Sequence, residues 1–121
     1  MLFAPKPLGK ASAPREAVKA DKKAAQRFAH CALGHANLYL GAFTLARDVW
    51  YVPLNSVDRV FKRLAVSRGF YEKGRLYGSI PYLVVRYDNG REKVCRFEHE
   101  EELDRLLSAI RRSTKIPVGK P

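Results

Sequence analysis

At 121 residues the chain has the length of one domain, enough for a hydrophobic core and a short extension. Its 23 basic residues against 12 acidic ones leave a net charge of +11, which favours acidic partners as a class without choosing among nucleic acid, anionic lipid and an acidic protein face. Two cysteines, Cys31 and Cys95, lie far apart in sequence and form no disulfide framework, and Met1 to Lys10 holds no apolar run of signal-peptide length; a reducing, cytoplasmic setting is expected.

Residues 1–14 combine basic side chains with prolines and read as a flexible basic arm. Arg15 to Leu33 then reads as a helix, preceded by Pro14, rich in alanine and stopped by Gly34. Arg15, Lys19, Lys22, Lys23, Gln26, Arg27 and His30 form its polar face, and Val18, Ala25, Phe28, Ala29 and Ala32 a thin apolar stripe for docking on the domain. Phe28 to Ala46 is uncharged and long enough for a membrane span, but His30, His35, Asn37 and two glycines make it a poor one.

Asn37 to Arg47 alternates in the manner of a strand, with Leu38 and Leu40 on one side and, given slack at Gly41, Tyr39, Phe43 and Leu45 on the other. Asp48 interrupts it, and Val49 to Val52 is a second, aromatic strand ended by Pro53. Asn55 to Val66 fits a helical stripe of Val57, Val60, Phe61 and Leu64 as well as a strand from Arg59, and periodicity does not decide. Ser67 to Pro81 contains three glycines and reads as a long loop, with room for a short hairpin.

Tyr82 to Arg112 is the clearest stretch. Tyr82 to Tyr87 is β-branched and aromatic, Asp88-Asn89-Gly90 is a turn that tolerates positive φ, and Arg91 to Phe97 is the return strand. A two-residue turn sets Val85 opposite Val94; a three-residue turn shifts each pair by one. Beyond Phe97 the period becomes helical, with Leu103, Leu106, Leu107 and Ile110 on one stripe. Glu100, Glu101 and Glu102 open this helix and Arg111 and Arg112 end it, complementing its dipole.

The order LYLGAFTL, VWYV, VPLNSVDRVF, YLVVRYDNGREKVCRF and EEELDRLLSAI resembles the bacterial pleckstrin-homology-like domains over Gly34 to Ser113. The resemblance implies an α+β fold in which a strongly bent antiparallel sheet, a partly open barrel, is capped by the C-terminal helix. It also implies a strand for Arg59 to Val66. An N-terminal helix is extra to that fold, the expected domain is 34–121 after an arm and helix at 1–33, and the sequence offers five or six strands where the family has seven. The clustered lysines and arginines by which some members hold phosphoinositides are missing from the first hairpin, so the ligand does not transfer with the fold.

No catalytic constellation emerges. Gly69, Gly74 and Gly78 do not have dinucleotide-loop spacing, and Ser79 lacks a nucleophile-elbow frame. His30, Cys31 and His35 lack a second ligand pair for a metal. The remaining candidate is Arg59 to Tyr77, where Lys62, Arg63, Arg68, Lys73 and Arg75 are interleaved with Phe61, Phe70, Tyr71 and Tyr77, suiting an acidic peptide or single-stranded nucleic acid. The expectation is a non-catalytic interaction module without cofactor that binds a protein or peptide. The alternative is a small basic nucleic-acid-binding protein that uses the arm and residues 59–77 through electrostatics; a membrane-surface role has no motif behind it.

Overall fold

A computed structural model describes residues 5–41, 49–72 and 75–120, with the backbone alone for 66–72 and 75–79. In chain order the elements are β1 (Lys6–Pro7), α1 (Arg15–Lys23), β2 (Gln26–Phe28), β3 (Cys31–Leu33), β4 (Asn37–Gly41), β5 (Val49–Pro53), a 3-10 turn (Leu54–Ser56), β6 (Val57–Glu72), β7 (Arg75–Tyr87), β8 (Arg91–Arg96) and α2 (Glu100–Ser113). They form an α+β fold of two open sheets, one ordered β1-β5-β4-β3-β2 and one ordered β6-β7-β8. All neighbours are antiparallel except β1 and β5, so the larger sheet is mixed.

The inner faces of both sheets and the leucine stripe of α2 make one core. Leu38, Leu40 and Val52 of the first sheet meet Val60, Leu83 and Val85 of the second, with Leu103, Leu106 and Ile110 between them. Each such side chain contributes roughly 1.5–3 kcal/mol when fully buried, which explains why α2 holds the two sheets together. The outer face of the first sheet carries Tyr39, Tyr51 and Ala32, which α1 covers with Val18.

Four expectations change. The helix expected over Arg15 to Leu33 ends at Lys23, and β2 and β3 follow as a hairpin. Ala29 at φ 56 makes its turn, and burial of the cross-strand pair Phe28 and Cys31, with Leu33, in the core outweighs alanine's helix propensity. The flexible arm is instead tied down over residues 6–13. Lys6 and Pro7 pair with Trp50 and Tyr51, the Leu8 N–H donates to the Tyr51 carbonyl, and the Ala13 N–H donates to the Tyr51 hydroxyl at 3.0 Å. The loop expected over Ser67 to Pro81 is the outer part of a long hairpin, because β6 and β7 stay paired to Glu72↔Arg75 across several register shifts. The strands number eight among the described residues, against the five or six expected; the ambiguous segment is a strand from Val57, as the resemblance implied for Arg59 to Val66.

The other elements follow the sequence. Asp88, Asn89 and Gly90 all have positive φ, and the three-residue turn sets Val84 opposite Val94. The division expected after Leu33 falls inside the first sheet, since Phe28, Cys31 and Leu33 share the main core with β4 and β5. Residues 42–47 of the expected 37–47 strand lie outside the described residues, as does Asp48. Phe28 to Gly41 is strand and turn, and among the described residues no helix is long and apolar enough to cross a membrane.

Candidate interaction site

β6 is the edge of the second sheet, and its exposed side runs alongside α2. Val60 faces the core, so by strand alternation Lys62 and Leu64 lie on the same face. The Lys62 ammonium donates to Glu100 at 2.6 Å and to Asp104 at 2.8 Å, fixing the N-terminal turns of α2 against the strand. The hydrogen bond to Asp104, followed by that to Glu100, raises the Lys62 pKa above its ordinary value. On the opposite face Phe61 is buried beneath the Arg86 guanidinium, 5.3 Å from the ring centroid.

The chain's own C-terminal segment sits on this edge. The Val60 N–H donates to the Pro117 carbonyl at 3.0 Å and the Gly119 N–H donates to the Val60 carbonyl at 2.8 Å, a parallel bridge between Val60 and Val118. The register suits the sequence: Pro117 is used only as an acceptor, and Gly119 takes φ 123, a conformation costly for other residues. The Gly119 carbonyl, which would meet the next outward N–H of β6, instead accepts from the Arg59 guanidinium at 2.8 Å.

Beyond Val60 the edge continues without a strand partner among the described residues. Alternation gives Lys62 and Leu64 the same outward N–H and C=O groups as Val60. Pro81 confirms the phase. It stands opposite Leu64 while its carbonyl accepts from the Phe97 N–H on the β8 side, so the Leu64–Pro81 pair is one that exchanges no hydrogen bonds. A groove of about 390 Å³ lies between this edge and α2, lined by Phe61, Lys62, Asp104, Leu107, Arg111 and Val118 among others. Leu64 at 45% is one of the two large apolar side chains most exposed among the described residues. Among the described residues the site thus combines outward backbone groups without a strand partner, the apolar side chains of Leu64, Leu107 and Val118, and cationic side chains, features that suit an extended peptide.

Of the residues singled out in the sequence, Arg63 lies on this strand, exposed and 3.9 Å from Glu92. Arg68, Phe70 and Tyr71 are on the outer part of β6 and Arg75 and Tyr77 on β7; Lys73 lies outside the described residues. Arg68, Phe70, Tyr71, Arg75 and Tyr77 fall in a two-stranded ribbon, because β8 pairs with β7 only from Tyr82 onward. Sequence reasoning did not find the docked C-terminal segment, although the short β-branched run Ile116-Pro117-Val118 followed by glycine was a signal for a brief edge pairing.

No protein-family model, curated protein or solved structure matches the chain. Among the described residues no group of His, Cys, Asp and Glu is arranged to hold a metal ion.

Proposed function

We propose that this chain is a non-catalytic interaction module that takes an extended segment of a protein partner as an added strand on the β6 edge, over Lys62 to Leu64 beside α2. The single observation that carries the reading is the parallel pairing of Val118 with Val60, a strand addition the chain performs on itself. The partner is an acidic segment: the net charge is +11, and Arg111 and Lys120 border the groove with one carboxylate, Asp104, already committed to Lys62. The fold is read as pleckstrin-homology-like. Support comes from the four-strand antiparallel run β2 to β5, the three-strand run β6 to β8 and the closing helix, with β1 and α1 as additions.

Panning a random peptide library against the full chain and against Leu64→Pro tests this reading. Proline at an outward-facing edge position removes one docking N–H and leaves the ladder with β7 intact. Peptides selected by the parent chain should lose roughly two- to tenfold in affinity for a variant of unchanged melting behaviour, in line with the roughly 0.5–1.5 kcal/mol that a lost hydrogen bond is worth. Equal affinity for both proteins would remove the β6 edge as the site.

A second reading rests on the ribbon formed by the outer parts of β6 and β7, since a two-stranded ribbon is one of the shapes a nucleic-acid groove admits. Arg68, Lys73 and Arg75 would then contact phosphates and Phe70, Tyr71 and Tyr77 would stack on bases. Binding that survives high salt and falls on Tyr71→Ala would favour this reading; binding to oligonucleotides that vanishes with salt and ignores the tyrosine is charge alone.

A further inference from the structure

Lys22, Lys23 and Arg27, which one long helix would have spread along a solvated face, are instead gathered around a concavity. α1 ends at Lys23 and the chain turns into the β2–β3 hairpin, so a cavity of about 400 Å³ is lined by the end of the helix and by both strands. The rest of its lining is mostly carbon. Ala32 and Tyr39 are buried, Ala25 and Val49 are half-buried, and the Tyr39 hydroxyl already donates to Asp21 at 2.7 Å.

Charge is not balanced here as it is elsewhere on the molecule. Lys62, Arg63, Arg86 and Arg105 each meet a carboxylate. Lys22, Lys23 and Arg27 form no ion pair among the described residues, and no Asp or Glu among them lines the cavity. Asp21, next to Lys22 in the chain, is committed to the N–H groups of His35, Ala36 and Asn37 and to the Tyr39 hydroxyl. The dipole of α1 accounts for two lysines in its last turn, but not for Arg27, which stands on a strand and lines the same space.

We propose that this cavity binds a small phosphomonoester with a compact apolar body, its phosphate held by Lys22, Lys23 and Arg27 and its body set against Ala32, Tyr39 and Val49. Three cations suit a phosphate better than a carboxylate. A phosphomonoester carries about −1.5 to −2 charge at neutral pH and three acceptor oxygens for the Arg27 fork and the two ammonium groups to share, where a carboxylate has one charge and two oxygens. The volume falls in the range of roughly 300–1,000 Å³ that small-molecule sites occupy. None of these residues lines the groove beside β6, so a variant at one site leaves the other intact.

The test is titration calorimetry of the full chain with phenyl phosphate, inorganic phosphate and benzoate. Arg27→Gln and Lys22→Gln are measured beside Arg91→Gln, which removes the same charge from an exposed position on β8. Phenyl phosphate should saturate one site and bind roughly tenfold more tightly than inorganic phosphate, which lacks the ring, or benzoate, which lacks the second charge. Arg27→Gln and Lys22→Gln should each weaken it by roughly tenfold with unchanged melting, as loss of one charge-assisted hydrogen bond implies, and Arg91→Gln should not. Absence of saturable binding, inorganic phosphate or benzoate binding as tightly as phenyl phosphate, or an equal loss in Arg91→Gln would each overturn the proposal.

Discussion

The Asp21 carboxylate accepts hydrogen bonds from the consecutive backbone N–H groups of His35, Ala36 and Asn37, at 2.9, 3.1 and 3.2 Å, and from the Tyr39 hydroxyl at 2.7 Å. One helical side chain thus fastens α1 to the β3–β4 turn, and Gly34 leaves room for it, since a Cβ there would collide with Asp21. Asp21→Ala should cost about 1–3 kcal/mol in a urea titration, the range for leaving such donors without their acceptor. In the core, Leu106→Ala should cost roughly 2–5 kcal/mol by the same measurement, because Leu106 is fully buried and its loss opens a cavity. His30 supplies a pH dependence. Burial lowers its pKa below the ordinary 6.5, opposed by a hydrogen bond with the Arg96 backbone, so in mild acid the unfolded chain binds a proton that the native state refuses. The contribution to stability is therefore full above pH 6.5 and shrinks as pH falls below it. His30→Asn should flatten that part of the stability–pH curve relative to the parent.

Elements differed in how well the sequence foretold them, and the differences have physical causes. The β7–β8 hairpin and α2 were legible because propensity, turn chemistry and apolar period agree within each: Asn89-Gly90 for the turn, Leu103 to Ile110 for the stripe. The β2–β3 hairpin was hidden because Ala24, Ala25, Ala29 and Ala32 favour helix, and what overrides them is the burial of Phe28 and Cys31 against residues distant in sequence. β6 was ambiguous because Val57, Val60, Phe61 and Leu64 fit a helical stripe while Val60, Leu64 and Val66 fit a strand's alternation, and only pairing with β7 decides. The groove was invisible for the same reason: it exists where the C-terminal segment, β6 and α2 converge. One consequence reverses a natural reading of the N-terminal third. A chain starting at Gly34 lacks Phe28, Cys31 and Leu33 from the main core and Val18 from the outer one, and should melt without a cooperative transition by calorimetry.

At the scale of the molecule, α2 and the C-terminal segment define one flank on which an exposed sheet edge meets a groove lined by Lys62, Arg111 and Lys120 against Asp104. In the proposed binding mode charge would steer an acidic partner toward the chain, and the edge, which reads backbone rather than side chains, would supply the alignment. Raising salt should accordingly slow association more than it speeds dissociation, as stopped-flow measurements at two ionic strengths would register. The most direct measurement of the account is residue-resolved amide exchange on the full chain, free and with a peptide selected by panning. In the free chain the Val60 amide, paired with Pro117, should be protected while those of Lys62 and Leu64 exchange quickly. With peptide bound, Lys62 and Leu64 should become protected and the amides of β8 should not change. Protection that arises instead along β8 or the outer ribbon, with Lys62 and Leu64 still exchanging freely, would contradict it.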